Sequence, residues 1–219
     1  RIASGVLLLD KPAGPTSHQV TAWVRDKFGL ERMGHGGTLD PFATGVLPLT
    51  LGKSMRLTGK VLTHDKTYIS VLDVPESVTD EALEEGLSRL RGRVYNVPPE
   101  ISAVKVQVRT RRIERLVLLS RSATHIVLEV ACEAGTYIRT MARDLGLLLD
   151  RPVKLVELRR SASGRFDLSA SATLQQVADA HWLWSSQEQP EALLRMLHPI
   201  EILVEDLPTV VVRDAAVGA

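Results

Sequence analysis

One acidic residue, Asp40, lies in a stretch whose composition is typical of a loop that presents a side chain for chemistry. The stretch reads MGHGGTLDPFATGVLPLTLG over residues 33–52, with three glycines before the acid and a proline directly after it. Glycines allow the backbone to approach another group closely, and the proline restricts Asp40 to extended conformations. The apolar residues 46–51 would anchor the turn in a core. The pattern predicts a carboxylate held in a fixed pose, although an Asp-Pro pair in a glycine-rich turn is most often only a turn.

The same stretch resembles a motif of a known enzyme class. GHGGTLDPFATGVLPLTLG is similar, over nearly its whole length, to the second motif of the TruB and dyskerin class of pseudouridine synthases. The resemblance implies that Asp40 is the single catalytic aspartate of that class. Three further motifs of the class follow the expected order: DKPAGPTSHQVTAWVR at residue 10, GTYIRTMARDLG at residue 135 and LVELRRSASG at residue 155.

Two more catalytic residues are implied by this resemblance. Lys66-Thr67-Tyr68 matches the Lys-x-Tyr element of the class, whose tyrosine stacks on the target uracil. Stacking on an extruded base is worth about 1–3 kcal/mol. Arg139 matches the arginine that lies beside the catalytic aspartate, where it would keep the acid ionised and could occupy the gap left by the displaced base. Taken alone, a tyrosine in a strand is more often core and an arginine on a helix is usually solvated.

Four residues are candidates for substrate binding. In the closing motif, the resemblance implies that Leu158 packs against the uracil pocket and that Arg159 supports it. His35 lies beside the Asp40 loop and could contact displaced nucleotides, with a role in loop packing as the alternative. Lys105 belongs to a basic run that continues to Arg115, which predicts an RNA contact or, alternatively, an ordinary solvated strand face.

The elements that must position these residues can be predicted from periodicity and capping signals. We expect strands at residues 5–9, 67–74, 104–113, 116–120, 125–132 and 155–164. Helices are expected from Thr16 or Ser17 to Phe28, and over residues 79–91, 137–149, 174–184 and 193–203, with Thr79 and Thr136 as N-caps. The resemblance implies an α+β pseudouridine synthase fold, with a mixed, mainly antiparallel sheet, flanking helices and a central active-site cleft. Lys11 is expected to have a structural role.

Composition narrows the class of protein. The chain has 219 residues, 44% of them hydrophobic, a net charge of +1, one cysteine and six scattered histidines. These features predict a globular, cytoplasmic protein without a signal peptide, membrane span, internal disulfide or structural metal. The reaction that the resemblance implies needs no cofactor. A charge of +1 is low for a chain that must hold RNA unaided. We expect a catalytic domain over residues 1–205, with residues 206–219 as the start of a C-terminal PUA domain that is truncated or absent.

The resemblance leaves three functions to separate. GPTSHQVTAWVR, VYNVPPEISAVKVQVRTRRI and HPIEILVEDLPTVVVRD are most like archaeal dyskerin-type subunits of box H/ACA ribonucleoproteins, which isomerise uridines, here expected in ribosomal RNA, selected by a guide RNA. Guide RNA, substrate RNA and H/ACA particle proteins are then the implied partners. A stand-alone synthase acting on the T-loop of transfer RNA is the enzymatic alternative. A non-catalytic RNA-binding scaffold that retains the fold is the alternative of another class.

Overall fold

The structure, a computed structural model, describes residues 2–98, 107–208 and 211. Its strands are β1 (Gly5–Lys11), β2 (Met33–His35), β3 (Thr44–Leu51), β4 (Lys66–Asp73), β5 (Gly92–Asn96), β6 (Arg109–Arg121), β7 (His125–Cys132), β8 (Lys154–Ser163), β9 (Phe166–Asp167), β10 (Ala172–Thr173) and β11 (Leu197–Pro199). The helices are α1 (Ser17–Lys27), α2 (Thr58–Thr63), α3 (Asp80–Arg89), α4 (Ile138–Leu149), α5 (Leu174–Gln187) and α6 (Glu191–Met196). Short 3-10 helices cover Ile2–Ser4, Gly52–Leu57, Leu168–Ala170 and Ile200–Leu203.

Within these described ranges, the strands form one mixed sheet in the order β10-β1-β3-β8-β4-β7-β6-β5. Strand β11 pairs with β1, β2 with β3 and β9 with β8. The pairs β1/β10 and β3/β8 are parallel, whereas the other described pairs are antiparallel. The predicted α+β fold with a mainly antiparallel sheet is therefore confirmed.

The core is divided between the two halves of this sheet. In one half, α3 and α4 bury Leu87 and Leu145 against Leu128 of β7. In the other half, α1 and α5 cover β1 and β3, with Val20 packed in the same cluster as Leu47. Strand β8 joins the halves, because it pairs with β3 on one side and with β4 on the other. Strand β8, which the two halves share, is thus supported by a packed core on both sides.

Capping residues begin two helices where the sequence predicts them. The Thr16 hydroxyl accepts a hydrogen bond from the Gln19 backbone N–H, and the Gln19 side chain accepts one from the Thr16 N–H, which completes a capping box at α1. Thr79 caps α3 through the Ala82 N–H. Thr136 does not cap α4: its hydroxyl donates to the carbonyl of Glu133 instead.

Three other predictions from the sequence differ from the structure. The predicted helix over residues 193–203 is wrong, because α6 ends at Met196 and the next residues pair with β1 as β11. The strand predicted at 116–120 is part of the longer β6, which begins at Arg109, and residues 104–106 lie outside the described residues. Residues 92–96 form β5, where no strand was predicted. No helix in the described part of the chain is long and apolar enough to cross a bilayer.

Candidate active site

A cleft of about 330 Å³ opens where β3, β8 and β4 meet the beginning of α4. Its walls are formed by residues 37–40 before β3, by residues 135–139 at α4, by Leu62 of α2, and by inward-facing residues of β4 and β8. Asp40, Tyr68, Arg139 and Leu158 all line it. A volume of this size is within the range of small-ligand sites. Residues that are far apart in the sequence therefore meet around a space that can accept part of a nucleotide.

The loop that carries Asp40 is held by buried side chains from the first strand and helix. The Ser17 hydroxyl donates to the Leu39 carbonyl at 3.0 Å and accepts from the Leu39 N–H at 2.8 Å. Lys11, which is fully buried, donates to the carbonyls of Pro41 at 3.2 Å and Ala43 at 2.8 Å. Burial lowers the pKa of the Lys11 amine. These bonds fix the backbone on both sides of Asp40, which agrees with the structural role expected for Lys11.

Asp40 and Arg139 form a two-pronged ion pair inside the cleft. The Arg139 Nη2 donates to Asp40 Oδ1 at 3.0 Å, and Nε lies 2.9 Å from Oδ2. Each side chain is 30% exposed, so the pair is reachable from solvent without facing bulk water fully. A guanidinium that holds both oxygens of a carboxylate fixes its orientation as well as its charge. The residues paired by the sequence motifs are thus in direct contact.

The first turn of α4, which carries Arg139, is held by a residue that sequence reasoning did not assign to the site. Asn96, the only asparagine in the sequence, donates through Nδ2 to the Tyr137 carbonyl at 3.2 Å. Its Oδ1 accepts from the Tyr137 N–H at 2.8 Å. The Thr140 hydroxyl donates to the Val97 carbonyl at 2.7 Å. Because no side chain caps α4 at Tyr137 itself, Asn96 satisfies a backbone donor at the start of the helix.

Tyr68 and Leu158 supply the apolar part of the cleft. Their side chains are 8% and 7% exposed. Burial raises the pKa of the Tyr68 hydroxyl, and the nearby positive charge of Arg160 opposes that rise. A phenol ring and a leucine that line the same narrow cleft suit a flat, weakly polar group such as a pyrimidine.

The closing motif contributes Arg160 to the cleft lining, which does not include Arg159, the residue predicted to support the pocket. Arg159 holds Asp10 through two contacts, Nη1–Oδ1 at 3.1 Å and Nη2–Oδ2 at 2.7 Å, and also donates to the Thr44 hydroxyl. Arg160 is 1% exposed, lines the cleft and donates to the carbonyls of Val46 at 2.7 Å and Gly37 at 3.0 Å. Neighbouring residues of a strand face opposite sides, so only one of the two arginines can point inward.

Lys66 is a second buried cation in the cleft, next to Tyr68 on β4. Its amine donates to the carbonyls of Val61 at 2.9 Å and His64 at 2.6 Å, near the end of α2. Burial, with the nearby charge of Arg160, lowers the pKa of Lys66 to about 8. The Lys-x-Tyr motif contained this residue, but only its tyrosine was assigned a role from the sequence.

Of the remaining two candidates for substrate binding, His35 is not among the residues that line the cleft. His35 lies on β2, where its ring makes an edge contact with His18 at a centroid distance of 4.9 Å. Burial lowers the pKa of His35 to about 4, so it is neutral at pH 7, and its Nδ1 has no partner among the described residues. Lys105 lies outside the described residues. The described part of the chain contains no cluster of histidine, cysteine or acidic residues that could hold a metal ion.

The chain belongs to the TruB family of pseudouridylate synthases. Residues 25–79 match the family's N-terminal domain, and residues 139–205 match the C-terminal domain of tRNA pseudouridylate synthase B. A probable tRNA pseudouridine synthase B from Methanothermobacter thermautotrophicus is 41% identical over all of this chain and 67% of its own length. A relative of the same name from Methanopyrus kandleri is 40% identical, again over the whole of this chain and over 64% of its own length. The chain thus spans about two thirds of the length of these curated relatives.

Solved structures place the chain near the dyskerin-type members, as the motifs predicted. In a Cbf5-Nop10-Gar1 complex, the matching chain is 36% identical, with a TM-score of 0.90 over 98% of this chain and 66% of that one. The matching chain of an archaeal box H/ACA Nop10-Cbf5 complex is 33% identical, with a TM-score of 0.83 over 94% of this chain and 63% of that one. Cbf5 is the archaeal dyskerin, so the predicted resemblance is confirmed.

Proposed function

We propose that this chain is an RNA pseudouridine synthase, with Asp40 as the residue that reacts with the target nucleotide. The observation that carries the proposal is the pairing of both Asp40 oxygens by Arg139 in a cleft lined by Tyr68 and Leu158. Pseudouridine formation breaks the bond between ribose and uracil nitrogen and makes a new one to uracil carbon. The product contains the same atoms as the substrate, so the reaction consumes no other molecule.

Each side chain of the cleft has a task in this reaction. A uridine must leave its helix to reach an enclosed cleft, at a cost of about a few kcal/mol. The Tyr68 ring and Leu158 would hold the extruded base, which recovers part of that cost by stacking and burial. Asp40 would then act as nucleophile or base at the nucleotide, oriented by Arg139. The ion pair is only partly buried, so the acid can be reached by a base that enters from solvent.

Guide-dependent modification of ribosomal RNA, within an H/ACA particle, is the finer form of this proposal. Its support is the likeness to chains in a Cbf5-Nop10-Gar1 complex and in an H/ACA ribonucleoprotein bound to a substrate RNA containing 2′-deoxyuridine. The latter chain is 33% identical, with a TM-score of 0.86. Net charge agrees with this form, because a chain of +1 gains little affinity for RNA from phosphate contacts alone. Guide RNA and partner proteins would supply the missing affinity.

Transfer RNA is the second candidate substrate, because curated relatives at 40–41% identity bear the name of a tRNA pseudouridine synthase. Both substrates require the same cleft chemistry and differ in how the RNA is selected. A scaffold without activity is disfavoured by the two-pronged Asp40–Arg139 pair, since a structural protein has no need of an oriented, partly exposed acid in a cleft.

The test measures tritium release from RNA that carries 5-tritiated uridine, because carbon 5 loses its hydrogen when the new bond forms. Wild type, Asp40→Asn and Asp144→Asn are compared on a naked tRNA transcript and on a target RNA with guide RNA and H/ACA proteins. Asp144 is a matched control: it pairs with Arg143 at 2.8 Å and is 26% exposed, close to the 30% of Asp40. We expect Asp40→Asn to release no tritium while binding RNA as wild type does, and Asp144→Asn to retain activity.

The substrate arms separate the alternatives. Release only with guide and partners supports the guide-dependent form, and release from naked tRNA supports the stand-alone form. A wild-type protein that releases no tritium in either arm, or an Asp40→Asn variant as active as wild type, contradicts the proposed function.

A further inference from the structure

Arg160 is a buried cation that the reaction described above does not use. Its side chain is 1% exposed, and no acidic side chain pairs with it among residues 2–98, 107–208 and 211. A buried charge without a counter-ion is unfavourable unless hydrogen bonds compensate it, and an apolar side chain of similar volume would often be more stable there. Lys66 adds to the cost, since its positive charge lies close enough to interact unfavourably with Arg160.

The position of Arg160 in the sheet explains what its guanidinium can reach. On β8 it lies opposite Gly45 of β3 on one side and opposite Tyr68 of β4 on the other. Gly45 has a φ of +106°, and a Cβ there would overlap the Arg160 backbone. Only glycine fits this close approach of the two strands. The Arg160 backbone therefore lies between the strand that follows Asp40 and the strand that carries Tyr68.

Two carbonyls on the Asp40 side of the cleft accept hydrogen bonds from this guanidinium, and Tyr68 lies on its other side. Nε donates to the Val46 carbonyl of β3 at 2.7 Å, and Nη2 donates to the Gly37 carbonyl of the Asp40 loop at 3.0 Å. Tyr68 lies opposite Arg160 on the neighbouring strand β4, close enough for the guanidinium charge to act on its hydroxyl. The planar fork of arginine can serve several acceptors at fixed angles, which a lysine cannot reproduce.

We propose that Arg160 is a positioning residue that sets the separation between the Asp40 loop and the Tyr68 ring, and so the width of the slot for the extruded base. The inference rests on the proposed function, because it assigns that slot to a uracil. Arg160 acts through its neighbours: it holds the Gly37 carbonyl, three residues before the reacting acid, and it lies opposite Tyr68, whose ring would stack on the base. Its loss would widen or tilt the slot while leaving the RNA-binding surface intact.

The test compares Arg160→Met, Arg160→Lys and Arg121→Met with wild type. Arg121 is the matched control because it is 21% exposed and donates to Asp80 and to the Val78 carbonyl, away from the cleft. Single-turnover rates and KM for RNA are measured on folded protein, with guide and partners where wild type needs them. We expect Arg160→Met to lower the rate about 100-fold, as for a misplacement of about 1 Å, with KM changed less than about threefold. Arg160→Lys should recover about tenfold of the lost rate, and Arg121→Met should react like wild type.

Hydrogen exchange of the Asp40 loop provides a readout that needs no activity. The Ala43 N–H, bonded to the Asp40 carbonyl at 3.0 Å, and the Leu39 N–H should lose protection in Arg160→Met and keep it in Arg121→Met. An unchanged rate and unchanged protection in Arg160→Met would overturn the inference, as would a rise in KM alone. If Arg160→Met does not fold, a folded Arg160→Lys variant with the wild-type rate overturns it. An inactive wild type would overturn the proposed function, whereas the exchange result still reports on whether Arg160 holds the loop.

Discussion

Replacing Arg139 by glutamine tests whether the ion pair with Asp40 orients the acid rather than stabilises the fold. Glutamine is shorter than arginine and keeps one amide donor, but it loses the charge and the fork that contacts both carboxylate oxygens. Arg139→Lys keeps the charge and can hold only one oxygen at a time. Arg139→Lys therefore removes only the two-pronged geometry, whereas Arg139→Gln removes both the geometry and the charge.

The size of the effect follows from the contacts. Each carboxylate oxygen has its own N–H partner, at 3.0 Å and 2.9 Å. A hydrogen bond to a charged group is worth about 1.5–3 kcal/mol, and a loss of about 2.7 kcal/mol in the transition state lowers a rate about 100-fold. We expect that reduction for Arg139→Gln and about a tenfold one for Arg139→Lys. Because both side chains are 30% exposed, the free energy of unfolding should change by less than about 1 kcal/mol.

The assay is single-turnover tritium release with saturating protein, beside urea unfolding of the same preparations. Arg143→Gln is the control, since Arg143 lies one helical turn further along α4, is 59% exposed and pairs with Asp144. It should keep the wild-type rate. An Arg139→Gln rate within about threefold of wild type would refute the orienting role, because losing the charge and the fork that holds the reacting acid should cost at least tenfold. A rate loss matched by an equal loss of stability would show that the pair acts on the fold.

Two further predictions concern the parts that support the cleft. Ser17→Ala leaves the buried N–H and carbonyl of Leu39 without their partner, so urea unfolding should show a loss of about 1–3 kcal/mol, against almost none for the exposed Ser185→Ala. His35 has a pKa of about 4 in the folded protein, against 6.5 ordinarily. The unfolded chain therefore binds a proton on His35 more tightly, so the folding stability falls as the pH drops from about 6.5 to 4. His35→Gln should reduce that fall by about 1–2 kcal/mol, allowing for solvent screening; parallel pH curves for both proteins would contradict this prediction.

Much of the site could be predicted because each motif string identifies its functional residue by the residues immediately around it. Asp40, Tyr68, Arg139 and Leu158 were assigned from four separate strings, and all four line one cleft. Helices with a capping threonine and a periodic apolar face were also predictable, as α1 and α3 show. For these two helices the deciding interactions are local in the sequence, between residues three or four apart.

What could not be predicted depends on pairing between distant strands. Residues 193–203 have an apolar pattern compatible with a helix, but Leu197 faces Leu7 in an antiparallel ladder that ends α6 at Met196. Tertiary pairing of this kind overrides a weak local preference. The role of Asn96 was also missed, although it is the only asparagine in the sequence. In the structure it is buried, and its side-chain amide satisfies both backbone groups of Tyr137 at the start of α4.

A further feature that depends on pairing between distant strands is an irregularity in β8 next to Arg160, and it shapes the cleft. Thr67 of β4 pairs with Ala162 of β8, yet its neighbour Tyr68 pairs with Arg160, so Ser161 is an extra residue on β8. Such a bulge re-aims the side chains around it. Because of it, Arg160 and Ser163 are both buried, although they are three residues apart and would face opposite sides of a regular strand. An uninterrupted β8 could keep only one of these two residues on the inner face. The bulge therefore allows Arg160 to lie opposite Tyr68 while Ser163 lies opposite Lys66, on the same face of the sheet.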